Sequence, residues 1–255
     1  MRHLEEKTYL YVKEICAYVK AKYKLSYSVS GMTKWLHAHD FRYKKPHQVP
    51  AKANRDEQEA YIKKYEELKK TAGEKEPIYF IDGVHPQHQT RLTYGWIKKG
   101  ARKEIAMTAK QYRVSYIGGI CLKGHGLVYR ECEKVDAKEI ELFLKQIRKQ
   151  HQSGEKIHIM LDNAGYHHSK QIISYAEGLN IELHYLPPYS PNLNPIERLW
   201  KILHEQVTYN RYYEKFSEFS EAVRNFFKTI GRKKNILRSR ITDNFQVRHS
   251  PIFAK

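Results

Sequence analysis

The segment Leu186–Trp200 reads LPPYSPNLNPIERLW and holds four of the chain's nine prolines, Pro187, Pro188, Pro191 and Pro195, directly ahead of a single glutamate, Glu197. Proline fixes φ and donates no backbone hydrogen bond, so the run predicts a stiff, irregular lead-in that ends where a helix begins, with Pro195 in the first turn. Beyond it, Ile196, Leu199, Trp200, Leu203 and Val207 recur at helical spacing and mark one apolar face. A packed helix with a rigid approach would therefore hold one carboxylate near its N-terminus. So much constraint around one acidic side chain points to chemistry.

Upstream of this segment, IHIMLD (157–162) and ELHYL (182–186) read as strands separated by a helix from about 169 to 177, and a further helix is expected over 137–150. IYFID (78–82), YGWIKKG (94–100), VSYIGGICL (114–122) and LVYRE (127–131) also read as strands, the last two joined into a hairpin by KGHG. Antiparallel strands followed by alternating helix and strand predict an α/β fold, a mixed sheet flanked by helices. Phe219, Ala222, Val223, Phe226, Phe227 and Ile230 form a later helix face assigned to packing, and the basic tail GRKKNILRSR is read as a DNA-backbone contact, with a solvated basic tail as the alternative.

Two of the strands end in aspartate, Asp82 and Asp162, at the sheet edge where open α/β sheets bind ligands. Glu197 comes 35 positions after Asp162, enough chain for one helix, one strand and the stiff loop to return to that edge. Three converging carboxylates repel one another, so convergence implies cations. Hard oxygen ligands on a partly hydrated site suit Mg²⁺ or Mn²⁺. A pair of such ions can activate water or a 3′ hydroxyl beside a phosphodiester and stabilise the leaving oxygen. Taken alone, an aspartate at a strand end is more often a turn or cap residue.

The 255 residues carry a net charge of +18, and its distribution is uneven. Residues 1–75 hold 17 Lys/Arg against 10 Asp/Glu, residues 76–197 hold 16 against 13, and residues 198–255 hold 13 against 5. A polyanion partner is the simplest reading of basic ends, with a merely solvated basic surface as the alternative. The start MRHLEEK lacks the apolar stretch of a signal peptide, and no apolar run is long enough to span a membrane, so a soluble cytoplasmic, nucleoid-associated protein without membrane contact is expected. Cys16, Cys121 and Cys132 lack metal-type spacing and read as reduced.

At the N-terminal end, Val12, Ile15, Cys16 and Val19 mark a helix over about 8–23. A second helix over about 28–39 is expected to bury Val29, Met32 and Leu36 and to present Ser30, Thr33, Lys34 and His37 outward, ahead of FRYKKP with Arg42, Lys44 and Lys45. Two short helices, a tight turn and a basic run match a helix-turn-helix whose second helix enters a major groove; an ordinary helical hairpin is the alternative. PHQVPAKAN (46–54) reads as a linker. Asn54 and Glu57 suggest a capping box for a solvent-rich connecting helix that presents Tyr61, Ile62, Tyr65 and Leu68 and ends near Gly73.

The strings FIDG, LDNAGYHHS and LPPYSPNLNPIERLWK resemble the three blocks of the DDE transposases of the mariner-like superfamily, in its bacterial insertion-sequence branch, and the 34 residues between Asp162 and Glu197 are similar to that branch's spacing. The resemblance covers about residues 77–209. It implies an RNase H-like fold, with Asp82 on the first strand, Asp162 at the end of the fourth and Glu197 on the helix after the last, as catalytic residues and metal ligands. It also implies cut-and-paste transposition, in which hydrolysis at the element's ends frees 3′ hydroxyls that attack target DNA, commonly at TA. Terminal inverted repeats and target DNA are then the partners, in a homodimer or larger assembly, and Asn163 and His167 become site-adjacent residues.

The organisation that follows is a helix-turn-helix module over 1–50, winged-helix-like and the second half of a bipartite unit, a helical linker over 51–76, and an RNase H-like catalytic domain with a basic helical extension over 77–255. Two departures stand out. Gly83 replaces the glutamate that often follows the first aspartate, and only one helix-turn-helix unit is evident, from which truncation or completion by another reading frame is expected. A nuclease without strand transfer and a transposase-derived DNA-binding protein are the other readings. The pairs His85/His88 and His167/His168 lack matching partner pairs and argue weakly for zinc.

Overall fold

The computed structural model describes residues 1–46, 50, 52–108, 112–152 and 154–247. The chain divides into two compact units, Met1–Gln48 and Val49–Lys255.

The first unit holds three helices, α1 (Arg2–Glu6), α2 (Val12–Tyr23) and α3 (Val29–Ala38). Lys24 ends α2 in the left-handed region (φ 60°), and Ser28 caps α3 by accepting the Gly31 N–H at 3.1 Å. Ile15 and Met32 are its buried apolar side chains among the described residues, while Leu36 is half-buried. Val29, expected inside, is exposed, because it opens the first turn of α3, ahead of the stretch where that helix closes on α2.

Among the described residues of the second unit, five strands make one sheet in the order β3-β2-β1-β4-β5: β1 (Ile78–Val84), β2 (Ser115–Cys121), β3 (Gly126–Cys132), β4 (Ile157–Leu161) and β5 (Ile181–Tyr185). β1–β2 and β2–β3 pair antiparallel, and β1–β4 and β4–β5 pair parallel. The alternation of strand and helix signals after residue 137 thus yields the parallel half, with α5 (Ala137–Gln150) and α6 (Lys170–Gly178) as its crossovers.

Each face of the sheet has its own core. α5 and α6 cover Tyr79, Ile81, Ile117, Ile159 and Leu161. The other face, with Phe80, Tyr116, Ile120 and Met160, is covered by α4 (Arg55–Thr71), α7 (Ile196–Leu203), α8 (Phe216–Ile230) and α9 (Lys234–Arg240). Buried strands read as near-continuous apolar runs for this reason.

Three sequence expectations change. α4 starts at the expected Asn54 cap, whose Oδ1 accepts the Asp56 N–H at 2.9 Å, but it is not a free connector. Tyr61 and Tyr65 are buried in the sheet's core, and the Tyr65 hydroxyl donates to Asp243 at 3.0 Å. The linker read over 46–54 falls partly on residues 47–49 and 51, outside the described residues. YGWIKKG forms no strand: Tyr94 and Trp96 are fully exposed, so the alternation has no face to bury, and Asn210 holds the segment through Thr93 at 2.9 Å instead. The basic tail is partly a packed helix, α9, with Leu237 and Ile241 buried and Arg240 paired to Glu205; its continuation past 247 lies outside the described residues.

Candidate active site

Asp82 sits in β1 opposite Gly118 of β2 and on the face covered by α7. The Trp200 indole donates from Nε1 to Asp82 Oδ2 at 2.8 Å. That approach requires the glycine, since a Cβ at Gly118 would stand 2.4 Å from Trp200 Cη2 and 3.3 Å from Ile196 Cδ1. Gly119 makes the matching space on the other face, where a Cβ would meet Phe143 Cζ at 3.2 Å.

The proline segment is tied to both aspartate-bearing strands. At its start, the Leu186 N–H donates to the Leu161 carbonyl at 2.8 Å, and Asn163 Nδ2 donates to the Leu186 carbonyl. At its end, buried Asn194 donates from Nδ2 to the Ile81 carbonyl at 3.1 Å, next to Asp82, and its own carbonyl accepts the Glu197 N–H at 3.2 Å. Between these points Tyr189 takes a left-handed φ of 57°, sparsely populated for an aromatic residue, and reverses the chain. Pro195 forms the N-cap of α7, and Ile196, Leu199, Trp200, Ile202 and Leu203 are buried, as the helical spacing implies.

Three elements thus carry Asp82, Asp162 and Glu197 to one edge of the sheet, near enough to act on one another electrostatically. Asp82 is pushed up to about 7, by burial first and then by Glu197 and Asp162, with the Trp200 donor opposing. Glu197 faces solvent at the helix start, yet the protein flanking it, and then Asp162, raise its carboxyl above the ordinary value. Asp162, about half exposed, is held below its ordinary value, chiefly by His167, whose Nε2 lies 3.3 Å from Oδ1, and also by the Ala164 N–H at 3.1 Å. His167 is buried, and its carbonyl accepts the Tyr185 hydroxyl at 2.9 Å. Asn163 bonds His168 Nε2 at 3.1 Å.

Such a set fits divalent cations by its chemistry: three oxygen donors, two of them driven toward protonation by burial and then by neighbouring carboxylates. Among the described residues they do not close to within 4.8 Å of one another, unlike His158, Glu182 and His184. An open spacing suits ions that keep water and share substrate oxygens. Sequence reasoning missed the Trp200 donor, read only as apolar, and Asn194; no local signal gives the first, because it depends on the register that sets Gly118 against Asp82. Tyr166, raised to about 12 by burial and by Asp162 and Asp82, is a further missed neighbour. His85 and His88 do not come together as ligands: His85 bonds Ser115 Oγ at 3.0 Å and buried His88 bonds the Tyr213 carbonyl at 2.9 Å.

In the first unit, Lys34, His37, Lys44 and Lys45 are exposed. Ser30 is exposed and bonds Ser28 Oγ at 3.2 Å, half-buried Thr33 donates to the Val29 carbonyl at 2.8 Å, and Arg42 donates to the His37 carbonyl at 2.9 Å. Thr33 and Arg42 are thereby engaged within and at the end of α3.

Comparison with known proteins agrees with this arrangement. Residues 77–220 match the DDE superfamily endonuclease domain, and residues 6–65 match a winged helix-turn-helix. The chain is similar to the insertion element IS630 uncharacterized 39 kDa protein of Shigella sonnei, with 28% identity over 158 residues, 60% of this chain and 45% of that protein, so it spans about half of that relative. It is 31% identical over 104 residues to the uncharacterized protein y4pE/y4sA of Sinorhizobium fredii (strain NBRC 101917 / NGR234), covering 40% of this chain and 73% of that protein. In fold it resembles the Mos1 transposase paired-end complex with left transposon end (TM-score 0.66, 17% identity, 94% of this chain and 74% of that one) and the Mos1 mariner paired-end complexes with Mn (TM-score 0.63, 16%) and with Mg (TM-score 0.64, 15%), both at the same coverage. With the endonuclease model matching more than half of its length, the chain belongs to the DDE superfamily endonucleases.

Proposed function

We propose that this protein is the transposase of an insertion sequence, cutting DNA at the element's ends and joining the freed 3′ hydroxyls to target DNA by a cut-and-paste route, at TA. The observation that carries the reading is the topology: β1, which holds Asp82, pairs in parallel with β4, which Asp162 directly follows, and α7, whose first turn holds Glu197, packs on β1. These three side chains would hold a pair of Mg²⁺ or Mn²⁺ ions, which supply activation of the attacking oxygen and stabilisation of the leaving one. The likeness to paired-end complexes containing Mg and Mn supports that choice of ion.

The chain's own residues define the rest of the mechanism. Asp82 must lose its proton to act as a ligand, and the Trp200 indole fixes which of its oxygens faces the site. His167 holds Asp162 ionised and oriented, and Asn194 fixes the helix start that carries Glu197. Residues 1–50 would read the terminal inverted repeats through Ser30, Thr33, Lys34 and His37, with Arg42, Lys44 and Lys45 on phosphates, and residues 77–255 would carry the chemistry. Basic ends supply sequence-independent attraction to DNA. Two copies, or more, would hold the two ends.

The test is joining: pre-cut DNA bearing the element's terminal repeats is incubated with target plasmid, protein and Mn²⁺, and the junctions are sequenced. Joints through the 3′ ends at TA are expected. Cleavage of uncut ends without any joints would replace this reading with a nuclease, and binding without either reaction would replace it with a transposase-derived DNA-binding protein.

A further inference from the structure

We infer that His158, Glu182 and His184 form a second metal site, a four-coordinate Zn²⁺ staple between β4 and the edge strand β5. His158 and Glu182 are directly paired in register, and His184 lies two residues beyond Glu182, so all three share one face of the sheet. His158 Nδ1 lies 3.1 Å from His184 Nε2 and 3.6 Å from a Glu182 oxygen, and His184 Nε2 lies 3.7 Å from the other Glu182 oxygen. A tetrahedral ion about 2.0–2.1 Å from each ligand requires ligand atoms about 3.4 Å apart, close to these separations, and one ligand atom from each residue lies within 4.8 Å of the others. Two imidazoles and one carboxylate form a donor set suited to Zn²⁺, and water completes the fourth position.

The surroundings of His158 set the tautomer that a ligand through Nδ1 needs. His158 is buried, and its Nε2 makes no hydrogen bond, but a Glu76 carboxylate oxygen lies 3.5 Å away. An N–H at that nitrogen faces Glu76 favourably, whereas a lone pair there would face a carboxylate. With Nε2 protonated, Nδ1 is a lone pair directed into the triangle, where without an ion it accepts the His184 Nε2–H at 3.1 Å. A carboxylate behind a ligating imidazole is also the usual outer partner that fixes its tautomer.

Lys156, 3.2 Å from Glu182, is the group an ion would displace; both side chains are about half exposed, so that pair is weak and the way in lies along the sheet edge. The proposal is independent of the carboxylate site, which takes oxygen ligands only.

The test uses the full chain stripped with chelator and titrated with Co²⁺ and Zn²⁺. Expected are the intense visible bands of four-coordinate Co²⁺, their displacement by one equivalent of Zn²⁺, and a rise in Tm with Zn²⁺. Glu182→Gln, at a half-exposed position, and His184→Ala should each weaken binding at least tenfold, while Asp82→Asn/Asp162→Asn leaves the bands unchanged. Absence of the bands in the wild type, their persistence in Glu182→Gln, or their loss in the Asp82→Asn/Asp162→Asn variant would overturn the proposal.

Discussion

Asp82 shows how one side chain is set by its surroundings. It lies below a packed helix, beside two other carboxylates, and keeps its proton up to about pH 7 when no cation is present. Metal binding must expel that proton, so Mn²⁺ affinity is expected to rise with pH through about 7 and to level off above it, as calorimetry in buffers of differing ionisation enthalpy would register. Stability moves the opposite way. Because the folded pKa lies above the unfolded one, the stabilisation this group contributes is complete below pH 3.8 and is lost as pH rises through about 7. The metal-free wild type should therefore lose Tm relative to Asp82→Asn between pH 5 and pH 8, a comparison read directly by calorimetric melting. A flat Mn²⁺ affinity over that range would show that Asp82 is not a ligand.

At the scale of elements, the site joins β1, the end of β4 and α7, and its tightest point is Trp200 of α7 over Gly118 of β2. Gly118→Ala should destabilise by about 1–3 kcal/mol through overpacking and should withdraw the indole from Asp82. Trp200→Phe removes the clashing atom together with the donor, and loss of such an outer partner typically weakens metal affinity roughly 10–100-fold. The double variant should therefore be more stable than the sum of the two, with a coupling of about 0.5–3 kcal/mol in a double-mutant cycle by denaturant melting. Additive effects would contradict the packing described.

Strand and helix positions here were legible wherever local pattern and burial agree: the 137–150 helix lies as expected and Asp162 directly follows β4, whereas Asp82, read as the end of its strand, lies two residues before the end of β1, because pairing with β2 continues through Val84. What the pattern could not supply was register and long-range neighbours. Nothing local to YGWIKKG reveals that no strand lies beside it, nothing local to Trp200 reveals an acceptor 118 residues away, and His158 and His184 meet only because β4 and β5 pair.

Across the whole molecule, the boundary between the units falls at residue 48, and α4 folds with the sheet. A chain beginning at residue 49 should fold on its own, whereas one beginning at residue 77 should not melt cooperatively, since removing α4 uncovers the site of Tyr61 and Tyr65. Circular dichroism melts of the two would decide it. Equal, cooperative melts would make α4 dispensable.

The claim on which the account rests is that Asp82, Asp162 and Glu197 form one metal centre that cuts DNA. Its most direct test is cleavage of a plasmid carrying the element's flanking ends by purified protein with Mg²⁺ or Mn²⁺, with every 3′ terminus mapped, beside Asp82→Asn, Asp162→Asn and Glu197→Gln. The account predicts metal-dependent cuts at the ends in the wild type and none in any of the three variants. Cuts that persist in any variant would remove that residue from the centre and contradict it.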